Sequence, residues 1–319
     1  MTHPMIRSRR GALALAATLA VSACGGGGGG DDGDNAAPPT DSPSSPPAAE
    51  ININIDNPTL TVASNSAVTA VGGLELVWSD EFDAAELDPE VWFFERGDGS
   101  QYGIPGWGNN ELQYYLEDSA RLEDGLLVIT AREEDVGGKQ YTSARINTRD
   151  RFAFRYGRIE ARMRLPAGQG LWPAFWLLPQ DDVYGGWAAS GEIDIMEAVN
   201  LGGTGGNNVH GTIHFGGEWP NNQFTGSSYL VPTDAKADFH TYALEWDPTE
   251  LRWYVDDVLY AMQNAWSTTG GPYPAPFDQP FYLLLNVAAG GNWPGAPDST
   301  TAFPATLEVD WVRVYSGTP

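Results

Sequence analysis

Cysteine is nearly absent from this chain: Cys24 is the only one in 319 residues. A lone thiol excludes any intrachain disulfide and any multi-cysteine metal site, so packing has to supply the stability. Basic residues are scarce too, 17 Lys and Arg against 42 Asp and Glu, a formal charge of −25. Such a balance repels phosphate backbones and anionic headgroups, which argues against nucleic acid and lipid surfaces as partners. It disfavours sulfated and uronic polymers and suits a neutral ligand, although proteins from salty habitats also carry acidic surfaces. Long apolar runs are missing: the longest, residues 11–23, falls short of the roughly 20 residues a membrane-spanning helix needs. Helical periodicity is scarce as well, with only residues 233–239 hinting at a short helix.

What is present divides the chain. Arg7, Arg9 and Arg10 precede the apolar run, which ends in Val21-Ser22-Ala23-Cys24. This resembles the bacterial lipobox and predicts a lipoprotein signal over residues 1–23, with Cys24 lipidated as the mature N-terminus. The alternative is a plain signal peptide with a cysteine near its cut site. Residues 24–72 read as a spacer, because 25–49 are rich in Gly, Asp, Pro, Ser and Ala with no large apolar residue to bury. Residues 51–71 alternate like a strand and are either an extra edge strand or more linker. The expected location is the cell envelope, outer membrane or cell surface, or the medium, with the membrane touched only through the lipid.

Residues 73–319 contain all 12 Trp and suffice for one large domain. Short alternating runs such as Leu126-Leu127-Val128-Ile129-Thr130 and Leu251-Arg252-Trp253-Tyr254-Val255 are separated by turns rich in Gly and Pro. The fold class expected is all-β, a β-sandwich jelly roll whose concave sheet face forms a groove for a long polymer.

The most informative segment is Gly191-Glu192-Ile193-Asp194-Ile195-Met196-Glu197. On a strand Glu192 and Asp194 share a face opposite Ile193 and Ile195. Strict alternation puts Met196, not Glu197, beside them, so a β-bulge near Met196 is needed to bring Glu197 back. The two glutamates then stand about four strand steps apart, roughly 13 Å at about 3.3 Å per residue. Their side chains reduce this to about 5 Å, the gap used by retaining glycosidases. One glutamate would attack an anomeric carbon while the other protonates the leaving oxygen. Glu192 is expected as nucleophile and Glu197 as acid/base. Asp194 is expected to hydrogen-bond Glu192 and keep a proton in the cluster. The plainer alternative is a cation site or a solvated edge strand.

The sequence resembles glycoside hydrolase family 16, and within it the bacterial laminarinases, which are endo-β-1,3-glucanases. The likeness covers residues 76–316. It rests on Glu192, Asp194 and Glu197 in a Glu-x-Asp-x-x-Glu pattern and on Val77-Trp78-Ser79-Asp80-Glu81-Phe82. It continues through Asn109-Asn110-Glu111, Trp172-Pro173-Ala174-Phe175-Trp176, His210-Gly211-Thr212-Ile213-His214 and Asp310-Trp311-Val312-Arg313. The resemblance implies hydrolysis of β-1,3-glucan or mixed β-1,3/1,4-glucan by double displacement, with no cofactor required; a monomer is the expected unit, although the sequence itself does not show oligomeric state. It further implies substrate contacts at Trp172 and Trp176, whose spacing shares a strand face, and at Asn110 and Arg145; His214 is expected to contact substrate or a carboxylate, with a satisfied core histidine as the alternative. Trp107 and Trp187 lie in glycine-rich loops that could form the groove rim, and each has core packing as its alternative. His210 and His214 have the spacing of a zinc pair but no third ligand nearby in sequence. A structural calcium is implied at Glu81 and Asp310, unless Asp310 is simply a strand-edge carboxylate. The rival readings are a galactan-cleaving relative of agarase or carrageenase type, a transglycosylase, and a binding-only lectin-like jelly roll.

Overall fold

A computed structural model describes residues 50–53 and 70–316. Two large sheets face each other, and alternation along their strands explains why. In Phe281–Ala289 the side chains of Phe281, Leu283, Leu285 and Val287 enter the main core, while Tyr282, Leu284 and Ala288 belong to small clusters on the other face. Leu171–Pro179 does the same, with Leu171, Phe175 and Leu177 in the core and Trp172, Ala174 and Trp176 facing out. A strand with period two cannot do otherwise once one face is buried. The second sheet answers with Ile159, Ala161 and Met163 from Gly157–Arg164 and with Tyr242, Leu244 and Trp246 from His240–Trp246. Each fully buried Leu, Ile, Met or Phe among them contributes about 1.5–3 kcal/mol, offset by the conformational entropy the chain gives up.

The first sheet runs in the spatial order Glu50–Ile53, Phe152–Arg155, Phe281–Ala289, Leu171–Pro179, Glu192–Glu197, Asn208–Gly216, Asn222–Leu230, every neighbour antiparallel. Arg145–Asn147 and Phe93–Glu95 extend it beside Phe281–Ala289. The second sheet runs from Val258–Gln263 through Gly157–Arg164 and Ala305–Ser316 to Gln113–Tyr115. This is the expected all-β sandwich. The strand Glu192–Glu197 stands near the middle of its sheet, hydrogen-bonded on both edges, which is where a side chain is held most rigidly.

One open reading closes and one expectation changes. Residues 50–53 lie inside the stretch read as spacer, yet they pair with Phe152–Arg155 as an edge strand, and Ala70–Val71 forms a hairpin with Leu74–Asp80. The alternating pattern was strand signal, and the sheet edge supplied its partner. Residues 233–239 form turns rather than a helix. Asp234 accepts the backbone N–H groups of Ala237 and Asp238 at 2.8 and 3.0 Å, a single turn that ends as the chain enters His240–Trp246. Residues 1–49, including Cys24, and 54–69 lie outside the described residues. Among the described residues no helix is long and apolar enough to cross a membrane.

Candidate active site

The acidic strand carries its bulge where the sequence required one. Against Leu171–Pro179, Trp176 pairs with Asp194 and Phe175 with Met196, so Ile195 is skipped. Against Asn208–Gly216, Asp194 pairs with Thr212 and Glu197 with His210, three steps on one strand for two on the other. Ile193, Ile195 and Met196 all enter the core. Two consecutive inward side chains return Glu197 to the face of Glu192 and Asp194.

The three acids are 6%, 3% and 9% exposed, too dry for a solvated edge strand. Each glutamate is held by an indole from a different element. Trp187 Nε1 donates to Glu192 Oε2 at 2.8 Å, and Trp172 Nε1 donates to Glu197 Oε1 at 2.9 Å. From the opposite sheet, Trp253 Nε1 donates to the backbone oxygen of Asp194 at 2.8 Å. That approach requires Gly211, because a Cβ there would lie 2.4 Å from Trp253 Cδ1. Asp194 Oδ2 has no hydrogen-bond partner and faces His214 Nε2 at 3.3 Å, because His214 and Glu192 are cross-strand neighbours and the imidazole lies over both acids.

Burial, and after it the charge of Asp194, pushes Glu192 and Glu197 up to about 8. His214 and the indole N–H groups oppose that rise. Burial alone pushes Asp194 up to about 8. A cluster of this kind keeps protons at neutral pH, while the indoles favour the anion on the atoms they touch.

The acids open into a groove of about 640 Å³ on the outer face of the first sheet. Trp172, Trp176, Arg145 and Trp107 line one side, and His210, Thr212, His214 and Phe224 the other. The Arg145 guanidinium lies between the rings of Trp107 and Trp176, 4.6 and 4.7 Å from their centroids, and is ion-paired to Glu95. Trp176 Nε1 donates to Asn286 Oδ1 at 2.8 Å. His210, the cross-strand neighbour of Glu197, stacks edge-on against Trp293 at 5.0 Å.

Asn110 is not among the groove-lining residues, and the two residues expected to hold a structural calcium are ion-paired. Asn110 adopts a left-handed backbone (φ 56°), which turns its side chain to Asn292 Oδ1 at 2.8 Å, and its neighbours Asn109 and Glu111 line the groove instead. Glu81 is gripped by Arg313 through Nε at 2.9 Å and Nη2 at 2.7 Å, and Asp310 by Arg162 at 2.5 Å. Both carboxylates are thus satisfied by guanidinium groups rather than left as free oxygen donors for a cation.

Other contacts escaped the sequence reading. Trp187 was weighed as a rim residue, yet it is 5% exposed and supports Glu192. Asn286 is the lone polar side chain in the strand FYLLLNVAA, a visible signal, since a buried amide needs partners. Trp219 and Phe224 extend the groove beyond His214 and carry no motif.

A central strand with a bulged carboxylate triplet, set in an aromatic groove on a β-sandwich, defines the class as a carbohydrate-processing jelly roll. Residues 101–313 match the model of "Glycosyl hydrolases family 16". The chain belongs to that family and is a glycoside hydrolase. It is 47% identical over 255 residues to a β-glucanase of Rhodothermus marinus, covering 76% of this chain and 85% of that protein. It is 43% identical over 265 residues to glucan endo-1,3-β-glucosidase A1 of Niallia circulans, covering 77% of this chain but only 38% of that longer protein. The laminarinase catalytic domain of Thermotoga maritima MSB8 superposes with a TM-score of 0.70 at 42% identity, covering 77% of this chain and 99% of that one.

Proposed function

We propose that this chain cleaves internal bonds of β-1,3-glucan, including mixed β-1,3/1,4-glucan, with retention of anomeric configuration. Glu192 is the nucleophile and Glu197 the acid/base. The observation that carries this is the bulge, which returns Glu197 to the face of Glu192 while separate indoles grip each carboxylate. In the first step a Glu192 oxygen forms a bond to the anomeric carbon as the glycosidic C–O bond breaks, and Glu197 gives its proton to the departing oxygen. Glu197, now a carboxylate, takes a proton from water, whose oxygen attacks the anomeric carbon and frees Glu192. Burial, and a charge on Asp194 when it ionises, raise both glutamates, so the cluster retains protons; in the working state Glu197 holds one and Glu192 is ionised.

Trp172 and Trp176 offer ring faces and edges to the C–H faces of the sugars, buried Trp107 backs Arg145, and Arg145, Asn109 and His214 take hydroxyls. Asn110 supports Asn292 rather than the glycan. No cofactor enters these steps. A calcium at Glu81 and Asp310 would first have to displace Arg313 and Arg162. Residues 1–23 act as a lipoprotein signal and Cys24 as the anchor in the cell envelope, a reading supported by the sequence of those residues alone.

The test is reducing-end release from laminarin, mixed-linkage β-glucan, agarose and carrageenan, with Glu192→Gln in parallel. Cleavage of laminarin that disappears in the variant is the expected result. Activity on a galactan alone would discard the glucan, and binding without cleavage by the wild type would discard the mechanism.

A further inference from the structure

His214 enters the acidic cluster through Nε2, 3.3 Å from Asp194 Oδ2 and 3.6 Å from Glu192 Oε1. These separations are long for hydrogen bonds, and Asp194 Oδ2 is left without a partner in a residue only 3% exposed. One donor atom from each of the three residues lies within 4.8 Å of the other two. Ligands held at about 2.0–2.1 Å around a tetrahedral zinc stand about 3.3 Å apart, so two of the three edges are near that length. Trp187 occupies Glu192 Oε2 and leaves Oε1 free. The groove above supplies an open fourth position for water or a sugar hydroxyl.

We propose that Glu192, Asp194 and His214 form a binding site for a divalent transition cation of the zinc class, whose occupation shuts off hydrolysis. The inhibition rests on Glu192 being the nucleophile, since a carboxylate bound to a dication cannot attack an anomeric carbon. One imidazole and two carboxylates suit zinc, whereas calcium takes six to eight oxygens and magnesium a hydrated octahedron. His210 takes no part. The zinc partners of His214 lie across the strand, where Glu192 is its register neighbour, and not four residues back along its own. Binding is weak enough to reverse, because His214 Nδ1 is buried without a partner, and an outer-shell partner on a ligating histidine typically adds about 10–100-fold in affinity.

Isothermal titration of the chelator-treated full chain with zinc chloride, without glucan, reads the site directly. The expected result is one zinc per chain with a dissociation constant in the micromolar range. Calcium chloride should bind at least about 100-fold more weakly. His214→Ala and Asp194→Asn should each weaken zinc binding by about tenfold or more while circular dichroism confirms their folds. Laminarin hydrolysis by the wild type should fall in step with zinc occupancy and return with EDTA. Equal zinc affinity in His214→Ala and wild type would overturn the site. Full activity in the zinc-saturated wild type would overturn the inhibition. The titration needs no turnover, so failure of the glucanase reading would leave the binding result standing.

Discussion

Glu192→Gln should stabilise the protein while abolishing its chemistry, and the gain should depend on pH. Glu192 is raised from 4.5 to about 8, mainly by burial. A carboxylic acid raised in the folded state contributes full stability below its unfolded value and loses it as pH rises through the folded value. At pH 7 the unfolded chain releases this proton freely, whereas the folded chain ionises Glu192 in only the minor fraction able to attack, which at about 1.4 kcal/mol per pH unit costs the fold about 3 kcal/mol. Glutamine keeps the shape and carries no proton to lose. The variant should therefore match the wild type near pH 4, pull ahead between pH 4.5 and 8, and level off above. For a domain of this size about 3 kcal/mol corresponds to roughly 6–12 °C in melting temperature. Thermal unfolding followed by circular dichroism from pH 4 to 9 measures it. A melting difference that does not change with pH would refute the reasoning, because the cost would then lie in packing and not in ionisation.

Three further outcomes are expected. Trp172→Phe removes the indole N–H on Glu197 Oε1, so the acid/base carboxyl should rise further, and the basic limb of the pH–rate profile should move up by about one unit. Gly211→Ala places a methyl 2.4 Å from Trp253 Cδ1, so it should lower stability by about 2–3 kcal/mol, read as a fall in the urea midpoint with an unchanged slope. Arg145→Lys keeps the charge but loses the planar group between Trp107 and Trp176; KM for glucan oligosaccharides should rise about fivefold or more, with kcat changed less than about threefold.

The acidic strand was legible because its demands are local. Three carboxylates among isoleucines impose a face, and that face imposes a bulge, before any partner strand is known. The tryptophan pair 172 and 176 was legible for the same reason of period two. Asn110 was misplaced because its direction depends on one backbone angle, a left-handed φ that the residue names Asn109-Asn110 do not specify. The ion pairs of Glu81 and Asp310 were not legible because their partners, Arg313 and Arg162, are 232 and 148 residues away in sequence. The imidazole of His214 beside Glu192 and Asp194 follows from cross-strand register, which spacing along one strand does not record. Residues 233–239 showed the limit of reading periodicity over so few positions, where one turn satisfies the pattern as well as a helix.

By itself the sequence determined the strands, which side chains face in or out, the carboxylate triplet and the likeness to a family. These follow from spacing along one chain, and spacing is what a sequence records. Only the tertiary structure decided what surrounds each carboxylate: the indoles of Trp187 and Trp172, the reach of Trp253 past Gly211, and the imidazole over Glu192 and Asp194. Those contacts join strands and loops that meet by sheet order and register. The dryness that pushes the acids up to about 8 exists only after two sheets have closed and water has been excluded.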